Sequence, residues 1–520
     1  METESIRKPS PNETRCITRH VLGHYSNLLV AGIYSVPQVL ADESDLQRLD
    51  CYAPALVECI QQHPFLSATI QDASTKTPIW SRPTQLNPGN HFRVLRSAVI
   101  NSLSPSSETS ETALLKEAIG LLHNAAEFRF TDVGSKPAWA LDVLPLPGGD
   151  KADHHRVFIS FTYSHSHGDG GSGTAFHKTF HGAWQKSMQT AQKTEETIVQ
   201  APAPPLPDAA DTPAKIPISF SYLLTPVLGT YLPSLLSRAL GISANVSGTD
   251  DNTWTGSKTF TDTKTPDWNA TTSVECFSIN PQALRKLLAC CKRKGTTLTP
   301  LLNHLVAQAL SKAFSASSIT LPPGTNFTCQ IPVNLRKALS MPLSTIGNYV
   351  GGAYTRHSFS TTINPLLDDK AWQTIQSQGH SLSHAASTLR NQPVGLLRYV
   401  SDIPSWIQQG IGKPRDYSWE LSNIGSYNGK QGFIVDGRRD AVEVEEMWFS
   451  QPASSIGPPL NFNVVGLKEG GLNVCVTWQI GSLGLPGNES SQDHGESDYR
   501  FVREVVASLK EGLEGLADGL

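Results

Sequence analysis

The sequence predicts a mixed α/β protein built as two folded halves of similar size. The chain has 520 residues, too many for one ordinary hydrophobic core and enough for two large ones. Strand-like and helix-like patterns alternate along it. Near the middle, a Pro- and Ala-rich stretch at 201–214, APAPPLPDAADTPA, interrupts the alternation. Such a segment cannot bury enough surface to fold alone and reads as a surface linker. The resulting division is an N-terminal half at 1–200, a linker and apolar crossover at 201–258, and a C-terminal half at 259–520. No short repeat is present, but two mixed halves are compatible with a pseudo-dimer.

In chain order, Asp45 to Gln62 carries apolar residues at helical spacing, with Asp42 as its N-cap. Ala113 to Ala126 is a second helix. Trp139 to Leu146 and Arg156 to Tyr163 read as strands. After the linker, Ser219 to Leu240 is apolar with one charge, Arg238, and is broken by Pro226, Gly229 and Pro233. Those interruptions argue against a membrane span and for a buried hairpin, a substrate-channel wall or a patch resting on a membrane surface. Asn245 to Ser257 is a polar loop. Ser273 to Ile279 is a strand, and Asn280 to Lys294 a helix ended by Gly295. Thr299 to Phe314 is a helix that Thr299 can cap. Strands follow at Asn326 to Val333, Gly432 to Val435 and Glu443 to Phe449. Asn461 to Val465 and Leu472 to Trp478 pair as a hairpin around Gly470-Gly471. Leu483 to Tyr499 is a polar loop, and Arg500 to Leu516 is a closing amphipathic helix.

Composition excludes several classes. Lys plus Arg is 42 and Asp plus Glu 46, a net charge of −4, which offers no reason to expect nucleic acid or anionic lipid. The N-terminus is polar and carries Glu2, Glu4 and Glu13, unlike a secretory or transit peptide. The eight cysteines form no CxxC and are expected as free thiols. A soluble, cytoplasmic monomer is the expectation. Peripheral contact with the endoplasmic reticulum or lipid droplets stays open.

Residues 156–188 carry the chemistry: RVFISFTYSHSHGDGGSGTAFHKTFHGAWQKSM. Val157, Ile159, Phe161 and Tyr163 mark a buried strand. Phe176, Phe180 and Trp184 recur every four residues on a helix. His165 and Asp169 therefore sit on a tight loop between two packed elements, where catalytic side chains are often placed. Gly168, Gly170 and Gly173 match GxGxxG, but no second strand ending in Asp or Glu follows at the right distance. A nucleophile elbow fails because GGSGT lacks the final Gly. His165, His167, His177 and His181 could suggest a metal, yet HExxH is absent and the last two can simply be solvated.

The remaining reading is His-x-x-x-Asp-Gly at His165, Asp169 and Gly170. It resembles the signature of the coenzyme A-dependent acyltransferase superfamily, which includes chloramphenicol acetyltransferase and peptide-synthetase condensation domains. Ser164 stands where condensation domains have the first His of HHxxxDG, which favours a stand-alone acyltransferase. More of the chain is similar to the fungal alcohol O-acetyltransferase family. RHVLGHYSNLLVAGIYSV resembles its opening strand region, and Pro137-Ala138-Trp139-Ala140-Leu141 the strand before the motif. Trp254-Thr255-Gly256, Gly295-Thr296-Thr297-Leu298-Thr299, Leu421-Ser422-Asn423-Ile424-Gly425 and GGLNVCVTWQIG resemble later segments. Two departures stand out: His24 replaces an acidic residue of many relatives, and the plant-type DFGWG is absent.

The resemblance implies two chloramphenicol-acetyltransferase-like domains, each a mixed sheet flanked by helices, with a channel between them. It implies that Pro332-Val333-Asn334-Leu335-Arg336 and Ile346-Gly347-Asn348 form the second domain's basic segment, with Arg336 pairing to Asp169. It implies acetyl-CoA as acyl donor, no metal, a small-molecule alcohol as acceptor and His165 as general base. Gly170 shapes the site, and Thr297, Thr299 and Asn423 line the channel. An imidazole with an ordinary pKa of ~6.5 is neutral and basic at neutral pH. An amine acceptor, a carrier-dependent condensation-like role and a non-catalytic binding module stay open. His167 reads as a spare core or surface histidine, or as an aid to substrate positioning.

Overall fold

The computed structural model describes residues 3–95, 111–148, 151–190, 198–200, 205–231, 246–261, 270–317, 319–360, 367–430, 441–485 and 491–519. The first half contains α1 (Pro11–Val21), β1 (Asn27–Pro37), α2 (Leu49–Gln62), β2 (Phe92–Val94), α3 (Glu111–Asn124), β3 (Trp139–Leu146), β4 (His154–Ser164) and α4 (Gly170–Gln189). Next come α5 (Phe220–Tyr231), β5 (Ser273–Ile279), α6 (Pro281–Arg293), α7 (Leu298–Ala316), β6 (Asn326–Asn334), β7 (Val350–Ser358) and α8 (Asp369–Ser387). The chain ends with β8 (Trp419–Tyr427), β9 (Glu443–Ser450), β10 (Leu460–Leu467), β11 (Leu472–Trp478) and α9 (Ser491–Asp518).

Two mixed sheets organise these elements. The first has the order β9-β1-β4-β3-β2, antiparallel except for the parallel pair β2 and β3. The second has the order β5-β11-β10-β8-β6-β7, with β8 parallel to both β6 and β10. Strand β1 explains the first sheet's chemistry. All eleven of its residues, NLLVAGIYSVP, are buried. Leu28, Val30, Tyr34 and Val36 face one apolar cluster, while Leu29, Ala31 and Ile33 face another. A strand covered on both faces has no need of polar alternation. Helix α4 packs on the first face, where Phe176 stacks on Phe161 at 3.9 Å between centroids. Helix α3 packs on the other, through Leu115, Ala118, Ile119 and Leu122.

Strand β9 comes from late in the chain but joins the first sheet, pairing Trp448 with Ala31 and Phe449 with Val30. It covers the edge of β1 that would otherwise expose unpaired backbone. A separate core in the second half gathers α6, α7 and α9 against β6, β8, β10 and β11.

Several expected elements differ. Asp45 to Gln62 is not one helix. A 3₁₀ turn at Asp45–Gln47 precedes α2, because Arg48 is extended; Ser44, not Asp42, holds its N-cap position, although Asp42 Oδ1 accepts from Asp45 N at 2.9 Å. The opening Arg19–Val36 region is the end of α1 followed by β1, rather than strand throughout. Thr299 is not the cap of α7. Thr297 holds the N-cap position and Thr299 lies in the first turn. Ser219–Leu240 is not a hairpin where it is described: residues 220–231 form α5, whose described side chains are partly or fully exposed. Residues 483–499 are not all loop, since α9 begins at Ser491. The strand expected at Gly432 to Val435 lies outside the described residues. Among the described residues, no helix is long and apolar enough to cross a membrane.

Candidate active site

The loop between β4 and α4 is buried almost throughout. From Val157 to Asp169, His165 alone reaches solvent. Its imidazole is held from the second half. His165 Nδ1 lies 3.0 Å from Asn348 Oδ1. The Asn348 amide nitrogen donates to His165 O at 2.8 Å and to Ser166 O at 3.3 Å. Carbonyl oxygens only accept, so the NH₂ must face them and Oδ1 must face the ring. An acceptor at Nδ1 places the proton there and leaves the lone pair on Nε2.

Cys16 Sγ of α1 approaches the same Nδ1 at 3.9 Å. Burial pulls the imidazole down, but charge on Cys16 and its contact raise it, and His165 stands above its ordinary 6.5. Burial raises the Cys16 thiol, yet His165, Arg15 and Arg19 bring it down to about 7. Tyr25 packs against the imidazole, tilted, at 5.6 Å. The Tyr25 hydroxyl donates to Gln451 Oε1 at 2.9 Å.

Asp169 faces away from this histidine. It is the N-cap of α4, and its Oδ1 accepts from Ser172 N at 2.9 Å. Arg336 meets it in a two-pronged pair: Nη2 to Oδ1 at 2.8 Å and Nη1 to Oδ2 at 2.9 Å. Oδ2 also accepts from Tyr349 N at 2.9 Å. Both side chains are buried, at 0% and 1% exposure. Burial raises the carboxyl, but the Arg336 charge and these hydrogen bonds hold it below its usual range. The pair ties the loop to the second half, and its forked geometry adds specificity.

The glycines of this loop answer to close approach rather than to a dinucleotide. A Cβ on Gly170 would meet Ile424 Cγ2 at 2.5 Å and Phe449 Cζ at 3.2 Å. One on Gly173 would run into Val30. Gly170 thus lets α4 start against β8 and β9.

The other histidines part company. His167 is core: Nε2 lies 2.9 Å from Ala68 O, Nδ1 lies 2.9 Å from Ser166 Oγ, and burial lowers it to about 4. His177 and His181 are buried, not solvated. His177 contacts Tyr34 Oη and Val30 O, and His181 contacts Tyr427 Oη and Val442 O. Their helix face packs on the sheet, which the i,i+4 spacing alone did not reveal. His24 is buried against Ser455 Oγ at 2.6 Å.

Of the expected channel residues, Asn423 and Thr299 come together, the amide nitrogen donating to Thr299 Oγ1 at 3.1 Å. Asn423 directly precedes Ile424, the neighbour of Gly170. Thr297 is exposed at the start of α7. Sequence reasoning passed over Asn348, Cys16 and Tyr25 as site residues. The signal for Asn348 was its place in the segment that carries Arg336; Cys16 and Tyr25 had none.

Comparison with known proteins bears on this arrangement. A family model described as alcohol acetyltransferase matches residues 99–485, a span that includes His165, Asp169, Arg336 and Asn423. The chain belongs to the alcohol acetyltransferase family. As a member of this family it is an acyltransferase that acts on alcohols. It is 24% identical over 476 residues to "Probable alcohol acetyltransferase crmB" of Aspergillus fumigatus, covering 89% of this chain and 92% of that one. It is 21% identical over 489 residues to "Probable alcohol acetyltransferase FCK4" of Fusarium pseudograminearum, covering 92% and 91%. The structure of TRI3 trichothecene 15-O-acetyltransferase from Fusarium sporotrichioides superposes with a TM-score of 0.62 at 13% identity, covering 98% of this chain and 95% of that one. That likeness shows the two-domain, chloramphenicol-acetyltransferase-like fold of the alcohol acetyltransferase family. The condensation domain of the polyketide synthase MokA shares the fold at a TM-score of 0.53 and 10% identity, covering 99% of this chain and 98% of that one.

Proposed function

We propose that this acyltransferase moves an acetyl group, or another short acyl group, from acyl-CoA to a hydroxyl of a small alcohol or secondary metabolite, with His165 as general base. The observation that carries the reading is the Asn348–His165 contact, which leaves Nε2 of the one solvent-reaching residue in the loop free to accept a proton.

The acceptor hydroxyl donates its proton to Nε2 as its oxygen attacks the thioester carbonyl. A positioned base of this kind supplies ~10²–10⁴-fold. The tetrahedral oxyanion needs hydrogen-bond donors. The backbone N–H groups of Gly170 and Gly171, at the start of α4, are one source, and Asn423 beside Ile424 is a second. Collapse breaks the carbon–sulfur bond, and the departing thiolate takes the proton back from Nε2. Asp169 and Arg336 hold the loop rather than touch substrate. On this reading Thr297 and Thr299 line the channel from the second half. The reading takes the protein as a monomer, with α5 as the place for any peripheral contact with a membrane or lipid droplet.

The test is incubation with acetyl-CoA and a panel of short alcohols, amines and polycyclic hydroxylated compounds, followed by mass spectrometry. Ester products support the reading. Amide products in preference to esters move it to N-acetylation. Absence of any acylated product from folded protein that binds coenzyme A contradicts it.

A further inference from the structure

The strongest unexplained feature beside His165 is the guanidinium of Arg19. Helix α1 places Arg15 and Arg19 one turn apart, a like-charge spacing that weakens a helix unless something compensates. Arg15 Nε donates to Asn12 Oδ1 at 3.2 Å. The Arg19 guanidinium forms no hydrogen bond and no ion pair among the described residues. Its Nε is buried without a partner, a costly condition for a cationic donor. Its one contact is aromatic: Cζ stands 4.2 Å from the Tyr25 ring centroid. Tyr25 in turn lies 5.6 Å from the His165 ring. The unpaired cation is therefore one ring's width from the imidazole.

The surroundings are polar. Tyr354 and Tyr417, with ring centroids 6.2 Å apart, feel the charges of Arg15 and Arg19 respectively. Neither hydroxyl has a hydrogen-bond partner among the described residues. The acidic neighbours Asp416 and Glu420 pair with neither arginine, and Glu420 Oε1 accepts from Gln451 Nε2 at 2.8 Å.

We propose that Arg19, backed by Arg15, binds a carboxylate on the acceptor, so that the preferred acceptors are hydroxy acids. The proposal rests on the acyl-transfer reading above and narrows its substrate class. A carboxylate supplies the acceptor oxygens that the guanidinium lacks, in a geometry that a forked cation matches. The distance favours the acceptor over the donor. The nucleotide phosphates of coenzyme A stand a whole pantetheine arm from the reacting thioester, whereas Arg19 and His165 both contact the Tyr25 ring.

The test is calorimetric titration of the full chain, in the presence of coenzyme A, with 4-(hydroxymethyl)benzoate and with its methyl ester. Wild type is expected to bind the acid tighter by about tenfold or more, the worth of one charge-assisted contact. Arg19→Gln brings the acid-to-ester ratio close to one, and Arg19→Lys keeps part of it. Arg15→Gln narrows the ratio less and serves if the Arg19 variants do not fold. Equal binding of the two members by wild type, or binding of neither, overturns the proposal. So does an acid preference that survives Arg19→Gln, or a loss confined to coenzyme A affinity. Thiol release from acetyl-CoA with each probe is read separately. Acid preference without turnover leaves the anion site standing and counts against His165 as base. Turnover of both probes without preference does the reverse.

Discussion

Asn348 Oδ1 sits 3.0 Å from Nδ1 of His165, across the junction of the two halves. The asparagine is itself fixed by two backbone carbonyls of the loop it serves. One residue of the second half thus sets both the orientation and the tautomer of a side chain in the first. Asn348→Ala frees the ring to rotate and to move its proton to Nε2. The expected result is a kcat lower by about 10²-fold, the usual cost of a misplaced catalytic group, with KM for acetyl-CoA little changed. Steady-state kinetics check it.

The pH profile follows from Cys16. General-base action needs neutral His165, so the rate rises with pH until the imidazole has lost its proton. That imidazole is held above 6.5, which places the acid limb of kcat/KM above pH 6.5. Burial and the two arginines of α1 pull it down, and Cys16 outweighs them. Removing the thiol as Cys16→Ser leaves the lowering influences in charge. The acid limb then moves to lower pH, and a kcat/KM profile of the two proteins measures the displacement.

The Asp169–Arg336 pair governs stability. Removing one member strands the other in a fully buried place, and Asp169→Asn or Arg336→Met is expected to cost about 3–5 kcal/mol in denaturant unfolding. Asp169→Leu with Arg336→Met together costs less than the sum, because neither charge is left alone. Folding depresses the Asp169 carboxyl below its usual 3.8. Its contribution is therefore complete above pH 3.8 and lost as the pH falls through the folded-state value.

Gly170 tests the packing between α4, β8 and β9. Gly170→Ala forces a methyl group onto Ile424 and Phe449. Overpacking of this kind costs about 1–3 kcal/mol, and the shift of α4 displaces the loop beside it. A lower melting temperature together with a lower kcat is expected.

Much of this architecture was legible because local pattern and tertiary context agree. The strand at 157–163 and the Phe176, Phe180 and Trp184 helix face were readable from spacing, since those side chains meet in one core. The pairing of Asp169 with Arg336 followed from a family resemblance, not from spacing. What could not be read depends on contacts distant in the chain. Nothing in EVEEMWFS says that this strand leaves its own half to pair with Asn27–Pro37. His177 and His181 look like a solvated pair until Val30 and Tyr34 of the first half cover one and Tyr427 and Val442 of the second cover the other. Asn348 and Cys16 become site residues only when a loop and a helix far apart in sequence converge on one imidazole.

The central claim is that His165 takes the acceptor's proton. Its most direct test is acceptor-dependent thiol release from acetyl-CoA by wild type and by His165→Ala, both shown to be folded and to bind coenzyme A. The account predicts release that needs the acceptor and falls by about 10²-fold or more in the variant. Release by His165→Ala at the wild-type rate would contradict it.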